Sequence, residues 1–408
     1  MLLLGAALVF SACDTGTTFV PVPVRHEDST EIKAKYLAEY FDIAVSGPLT
    51  QDVFADNLLL LQPPSASGRI NNKTPFELGA NPAAETLKTL DAVKFAVIGA
   101  NLKELALVYS DEKISRILSG AGINGIPAGE HRVYVAAALD AELISTTQAR
   151  LAVNNISAEK DFIISLLQAV ADYNNVSRRL LGYSDDPGLY AKVLDAQANF
   201  AASLASFTDP VLYGIGSEGV TANVTTGFNL KANRYNARFL TELTIIYGHS
   251  APKHAKQIIG LLNSEGLVVK VGLEPKASRF YYGGSLHAPE AEYDLILEFS
   301  SRADLLRFDG IILQYADKPT PGNNISGAWN DPMYYAAFDP GPGYKEVIDN
   351  NLRHGEYVLH PLSLKEDGPT TLTAFQSIIE TSYSSDGVTI EQIPVWANEH
   401  FWAYMGGS

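Results

Sequence analysis

Residues 241–318 constrain the fold most, because their breaks and hydrophobic periods spell out alternating strands and helices. Residues 243–247 are an apolar, β-branched run that Gly248, Ser250 and Pro252 stop. Ile258, Ile259, Leu261 and Leu262 then recur near helical spacing until Gly266. Residues 267–271 read as the next strand, closed by Pro275, and residues 293–299 as the one after. Ser300 or Ser301 caps a short helix through Ala303, Leu305 and Leu306, and residues 311–315 read as a last strand. The order βαββαβ predicts a ferredoxin-like α/β unit, a four-stranded antiparallel sheet with both crossover helices on one face.

Residues 247–266, together with the run LEFSSRAD at 297–304 in which an aromatic-serine step leads from strand to helix, resemble the SPOR-type modules of bacterial envelope proteins. The resemblance implies binding to the glycan strands of peptidoglycan, with Tyr247 and Phe299 on the sheet that would carry it.

The compartment is read from the start of the chain. Residues 2–10 are apolar, too short to span a bilayer but of the length of a signal-peptide core, and Ser11, Ala12 and Cys13 follow. This resembles a bacterial lipobox and implies a signal peptide over residues 1–12 and a lipid on Cys13. Phe10 stands where Leu is usual, and no Lys or Arg follows Met1. Cys13 is the one cysteine of the 408 residues, so neither a disulfide nor a Cys-ligated metal is expected. Asp14 behind it resembles an inner-membrane retention residue. The expected location is therefore the bacterial cell envelope, with the membrane as a partner through Cys13. A formal net charge of -16 argues against nucleic acid, which needs clustered Lys and Arg.

Residues 13–30, with Pro21 and Pro23, read as a tether. Four amphipathic stretches follow, near 81–108, 133–153, 158–181 and 188–207, after a first helix ending before Gly47. Their short connections predict a helical bundle over residues 31–208. Residues 211–230 read as a hairpin or pair of strands that opens the α/β domain at 209–318. Residues 319–408, rich in Pro and holding Trp329, Trp396 and Trp402, read as an aromatic extension packed on that domain.

The motifs that could carry chemistry lack their context. G-x-G-x-x-G occurs at 120–125 and 214–219, but neither copy follows a strand and opens a helix, so both read as turns. S-x-x-K occurs at 110–113 and 250–253 without its partner motifs, and both serines read as helix caps. His354, Glu356 and His360 are a metal-type ligand set on one face of a strand, although the two imidazoles would stand about 20 Å apart along it. His249, Lys253 and His254 surround a helix start that would favour an anion. Trp329, Tyr334 and Tyr335, with the other tail aromatics, would form either a sugar-stacking platform or the core of the extension.

The sequence thus predicts an α+β lipoprotein without catalysis or cofactor, binding a cell-wall glycan or another envelope protein. An exported polysaccharide hydrolase using Asp331, Asp339 or Glu356 is the rival, and a structural subunit of an envelope complex a third reading.

Overall fold

The computed structural model describes residues 28–63, 70–126, 129–207, 209–249, 251–282, 284–315, 334–363, 368–399 and 401–402. The signal-like segment, Cys13, Asp14, Ser250, Trp329 and Asp331 lie outside them.

Eight helices come first: α1 (Thr30–Phe41), α2 (Gln51–Leu60), α3 (Thr89–Gly99), α4 (Lys103–Leu107), α5 (Asp111–Gly120), α6 (Glu130–Asp140), α7 (Thr146–Ala152) and α8 (Lys160–Tyr173). Their starts follow from hydroxyl caps. Ser29, Thr50, Ser110 and Ser145 each accept a hydrogen bond from a first-turn N–H, and Ser145 with Gln148 completes a capping box. Helix α3 is apolar over most of its surface, buries ten of its eleven residues and packs against α2, α6 and α8, which makes it the centre of this unit. The stretch expected as one long helix over 81–108 is two, since Asn101 takes a left-handed φ of 58° between α3 and α4. Ser110 caps α5 as expected, and the glycine motif at 120–125 closes that helix, with Gly122 and Gly125 at positive φ.

The rest of the chain is built around strands. In order they are β1 (Gly182–Tyr183), α9 (Leu189–Ser203), α10 (Pro210–Thr221), β2 (Thr225–Ala232), β3 (Thr244–His249), α11 (Pro252–Ser264), β4 (Lys270–Tyr282), β5 (Ser285–Leu286), β6 (Glu290–Glu298), α12 (Arg302–Tyr315), β7 (Tyr334–Ala336), β8 (Tyr344–His354), β9 (Tyr357–Ser363), α13 (Gly368–Ser382) and β10 (Thr389–Asn398). Residues 211–230 are therefore not a hairpin. Asp209 and Pro210 cap helix α10, and only β2 is extended. The second glycine motif lies inside α10, where the glycines permit close packing. A Cβ at Gly216 would stand 2.7 Å from Phe228, and one at Gly219 2.7 Å from Phe375.

The expected ferredoxin-like unit is overturned by the strand pairing. Eight antiparallel strands close on themselves in the order β4-β2-β9-β8-β10-β7-β3-β6, and β6 returns to β4 through nine residue pairs from Lys270 with Glu298 to Ser278 with Glu290. The result is a closed barrel, with β1 and β5 attached to β4 outside the ring. Residues 311–315 belong to α12 and not to a strand. The aromatic extension is no separate cover either: β7, β8, β9 and β10 are half the barrel. Closure satisfies both edges that a four-stranded sheet would leave unpaired, a physical gain that no local pattern records.

Helices α9 to α13 lie on the outside. Outward residues of β3, β4 and β6, among them Ile245, Tyr247, Val271 and Leu295, pack on α9, α11 and α12. Those of β2, β8 and β9, among them Phe228, Leu230, Leu352 and Leu359, pack on α10 and α13. The two units meet at Glu298, which is fully buried at the end of β6. It accepts hydrogen bonds from Arg178 Nε at 2.8 Å, Lys270 Nζ at 2.9 Å and Leu240 N at 2.6 Å, and Asp28 answers both cations. Arg178 also lies 4.1 Å over the ring of Tyr36 from α1.

Candidate functional site

Because helices cover the outer face, the barrel inverts the usual arrangement: apolar side chains point out and polar ones point in. Along β6 the alternation is plain, with Glu292, Asp294 and Glu298 inward and Tyr293, Leu295 and Leu297 outward. The same period places Asn229 and Lys231 of β2, Glu274, Lys276 and Ser278 of β4, Tyr335 of β7, Asp349, Asn351 and Arg353 of β8, and His360 of β9 inside.

These groups form two networks. In the first, Asp294 lies 2.5 Å from Lys231 Nζ and 2.8 Å from Lys276 Nζ, and Lys231 reaches Glu274 at 3.2 Å. Ser278 donates to Glu292 at 2.5 Å. Burial opposes both charges, yet Lys231 and Lys276 hold the Asp294 carboxyl well below the usual carboxylate range, and Asp294 with Glu274 holds Lys231 well above an ordinary lysine. Gly248 of β3 makes room for this cluster, since a Cβ there would stand 2.9 Å from Asp294 Oδ1 and 3.0 Å from Lys276 Nζ. In the second network His360 Nδ1 lies 2.9 Å from Asp349 Oδ2, and the Asn351 amide, turned so that its nitrogen faces these acceptors, donates to the same carboxylate at 3.0 and 3.2 Å and lies 2.6 Å from His360 Nδ1. Tyr335 stands between the two networks. Burial pushes its phenol up, with Lys231 opposing in part, so it stays a neutral hydrogen-bond donor.

The lumen holds two cavities. The larger, about 250 Å³, is bordered by Tyr40, Asn236, Arg238, Glu274, Asn351 and Arg353. The smaller, about 80 Å³, runs toward Lys345, Phe401 and Trp402. Lys231, Tyr335, Asp349, His360 and Val395 line both, so the two cavities adjoin. Lys231, Arg238 and Arg353 line the larger cavity against Glu274 and Asp349, and Glu391, outside the lining, answers Arg353 Nε at 2.6 Å.

The residues singled out in the sequence are dispersed. Tyr247 and Phe299 are buried on the outer side, Phe299 with its ring 5.3 Å from Phe308, so neither presents a glycan-binding face. His249 ends β3, Lys253 is exposed on α11 and His254 is buried in the same helix. Tyr334 begins β7, and its neighbour Tyr335 reaches the lumen, as do His360 and, at the smaller cavity, Trp402.

The proposed metal set is split by a turn at Gly355, whose φ is 57°. His354 pairs with Asp209 at 2.8 Å, Glu356 pairs with Arg234, and His360 pairs with Asp349. Among the described residues no group of three or more His, Cys, Asp or Glu side chains is arranged to hold a metal ion. Asp339 and Glu356, considered for hydrolysis, border neither cavity. Sequence reasoning missed Lys231, Glu274, Lys276, Asp294 and Asp349. Their signal was a charge at every second position of an otherwise apolar strand, which reads equally as a solvated face.

Compared with known proteins, the chain matches no family model, no curated protein and no solved structure.

Proposed function

We propose that this is a cell-envelope protein, anchored through a lipid on Cys13, whose barrel lumen binds an uncharged, polyhydroxylated ligand about the size of one sugar ring, as part of binding a cell-wall glycan. The observation that carries the reading is the larger cavity, set in a closed sheet and lined by donors and acceptors side by side, Lys231 being paired with Glu274, Arg353 with Glu391 just outside the lining, and His360 with Asp349. A phosphate would need a surplus of cations and an amine a surplus of carboxylates, whereas hydroxyl groups need donors and acceptors side by side. A volume of about 250 Å³ exceeds the roughly 150 Å³ that holds a benzene ring and falls below the roughly 300–1,000 Å³ of drug-sized sites. Lys231, Lys276, Asp294 and Glu274 are committed to one another, which suits fixed recognition better than an acid and base poised for reaction. The anchor rests on the resemblance of the first thirteen residues to a lipobox.

The test uses the Cys13→Ser chain, which cannot be acylated. Calorimetric titration with neutral amino-sugar derivatives and hexoses, and co-sedimentation with purified peptidoglycan sacculi, should show saturable binding. A chain that gives no binding heat and stays in the supernatant rules the reading out.

A further inference from the structure

We infer that the helical unit carries a second binding site, an open polar groove that takes a protonated primary amine. The groove, about 570 Å³, lies between α8, Lys33 of α1 and the turn from α6 to α7, and none of its lining residues borders either cavity of the lumen. Its side along α8 is a polar stripe on an otherwise apolar helix. Helix α8 buries Phe162, Ile163, Leu166, Leu167 and Val170 in the core, yet Ser165, Gln168 and Asp172 recur at one-turn spacing and line the groove. Gln168 is only 5% exposed, and its Oε1 has no hydrogen-bond partner among the described residues. Turning the amide over does not cure this, because Nε2 donates to Asp172 Oδ1 at 2.9 Å and the reverse would set oxygen against a carboxylate. A buried acceptor left unanswered carries a desolvation cost, which a donor entering from the groove removes.

The charges give that donor its sign. Asp172 Oδ1 is taken by Gln168 and by the Ser177 hydroxyl, which leaves Oδ2 without a partner among the described residues. The exposed side chain of Glu142 has no partner among them either. Lys33 is the cation that lines the groove against these two carboxylates, so one negative charge is left over. An ammonium group brings one positive charge and three N–H donors, a match to the acceptors of Gln168, Asp172 and Glu142. Glu142 also takes a φ of 56° just past the end of α6, a left-handed position where glycine is the less strained residue. A carboxylate thus stands in the groove against the preference of its own backbone.

The experiment titrates the isotope-labelled Cys13→Ser chain with ethylammonium and, separately, with tetramethylammonium, which has the charge but no N–H, and follows both by NMR. Ethylammonium should move the Gln168 side-chain amide and the Ser165 backbone amide along one saturable curve, with a Kd of about 1 mM or tighter. Tetramethylammonium should leave both signals in place. Equal responses to the two cations, or a response to ethylammonium that never saturates, overturn the site. Glu142→Gly removes the carboxylate and the backbone strain together, so ethylammonium should bind about tenfold more weakly while the melting temperature holds or rises. Gln168→Met removes the unanswered oxygen and should abolish the saturable shift at Ser165 in a chain at least as stable as the parent. Parental affinity in either folded variant overturns the assignment, whatever the lumen binds.

Discussion

His360 and Asp349 face each other across neighbouring strands with 2.9 Å between Nδ1 and Oδ2, where both line the two cavities of the barrel. The ring is thereby held at a fixed angle, with the carboxylate itself anchored by Asn351. Asp349→Asn keeps the shape and removes the anchoring charge. It should leave the melting temperature within a few degrees of the parent and weaken sugar binding by about tenfold, or ~1.4 kcal/mol. Titration calorimetry beside a thermal melt separates the two effects, and an unchanged affinity would place the ligand elsewhere.

Lys231→Met should be among the most destabilising single changes in the barrel, because it strands Asp294 and Glu274 in a lumen from which Lys231 itself is only 13% exposed. Breaking a buried pair from one side costs about 3–5 kcal/mol. Denaturant unfolding should show a lower midpoint at an unchanged slope. A loss under 1 kcal/mol would mean that water reaches the cluster freely.

The same cluster sets an acid limit. Asp294 is held below its ordinary value in the folded state, so its contribution is present above the unfolded value of about 3.9 and is lost as pH falls from there toward the folded value. Lys231 is raised, so its contribution is complete below about 10.4 and is lost only as pH climbs through the higher folded value. Melting temperature measured against pH should thus drop below about pH 4, and the Asp294→Asn variant, less stable at neutral pH, should show a shallower drop.

Gly248→Ala tests how tightly the cluster is packed. Its Cβ would meet Asp294 Oδ1 at 2.9 Å and Lys276 Nζ at 3.0 Å, both parts of one ion pair and neither free to swing away. Overpacking of this kind costs about 1–3 kcal/mol. Gly260→Ala, whose Cβ meets nothing within 4 Å in α11, is the control and should be neutral or stabilising in a denaturant series.

Glu298→Gln addresses the joint between the units. The carboxylate accepts from Arg178, Lys270 and Leu240, and an amide can serve only part of that set. The variant should lose about 2–4 kcal/mol and unfold in two steps where the parent unfolds in one, because the helical unit and the barrel keep separate cores. Calorimetric traces decide it; a single transition would show that the joint does not depend on this residue.

Much of this architecture was legible in the chain. The caps at Ser110 and Ser301, the apolar periods of α8 and α11, and the strands at 243–247 and 293–299 are written in residues a few positions apart, which is the range over which hydroxyl caps and side-chain periods act. Residues 311–315 misled because Ile311 and Ile312 carry strand propensity, while Leu305, Phe308 and Ile312 continue a helical face against the barrel. Residues 214–219 misled because glycine marks turns, whereas here it removes side chains between α10, Phe228 and Phe375.

What the sequence by itself determined is which side of each strand is polar. Glu292, Asp294 and Glu298 alternate with Tyr293, Leu295 and Leu297 whatever the rest of the chain does. Only the tertiary structure decided what that polar side faces. The pairing of β7 with β10, and of β2 with β4 and β9, joins segments from distant parts of the chain and turns a sheet with two edges into a ring. Charges that would have met water meet each other instead, and a desolvated Lys231 or Asp294 gains its partner because β4 pairs with both β2 and β6 and brings their inward side chains within 2.5 Å of each other. Local pattern cannot encode that distance, because loop closure and edge satisfaction are properties of the whole sheet.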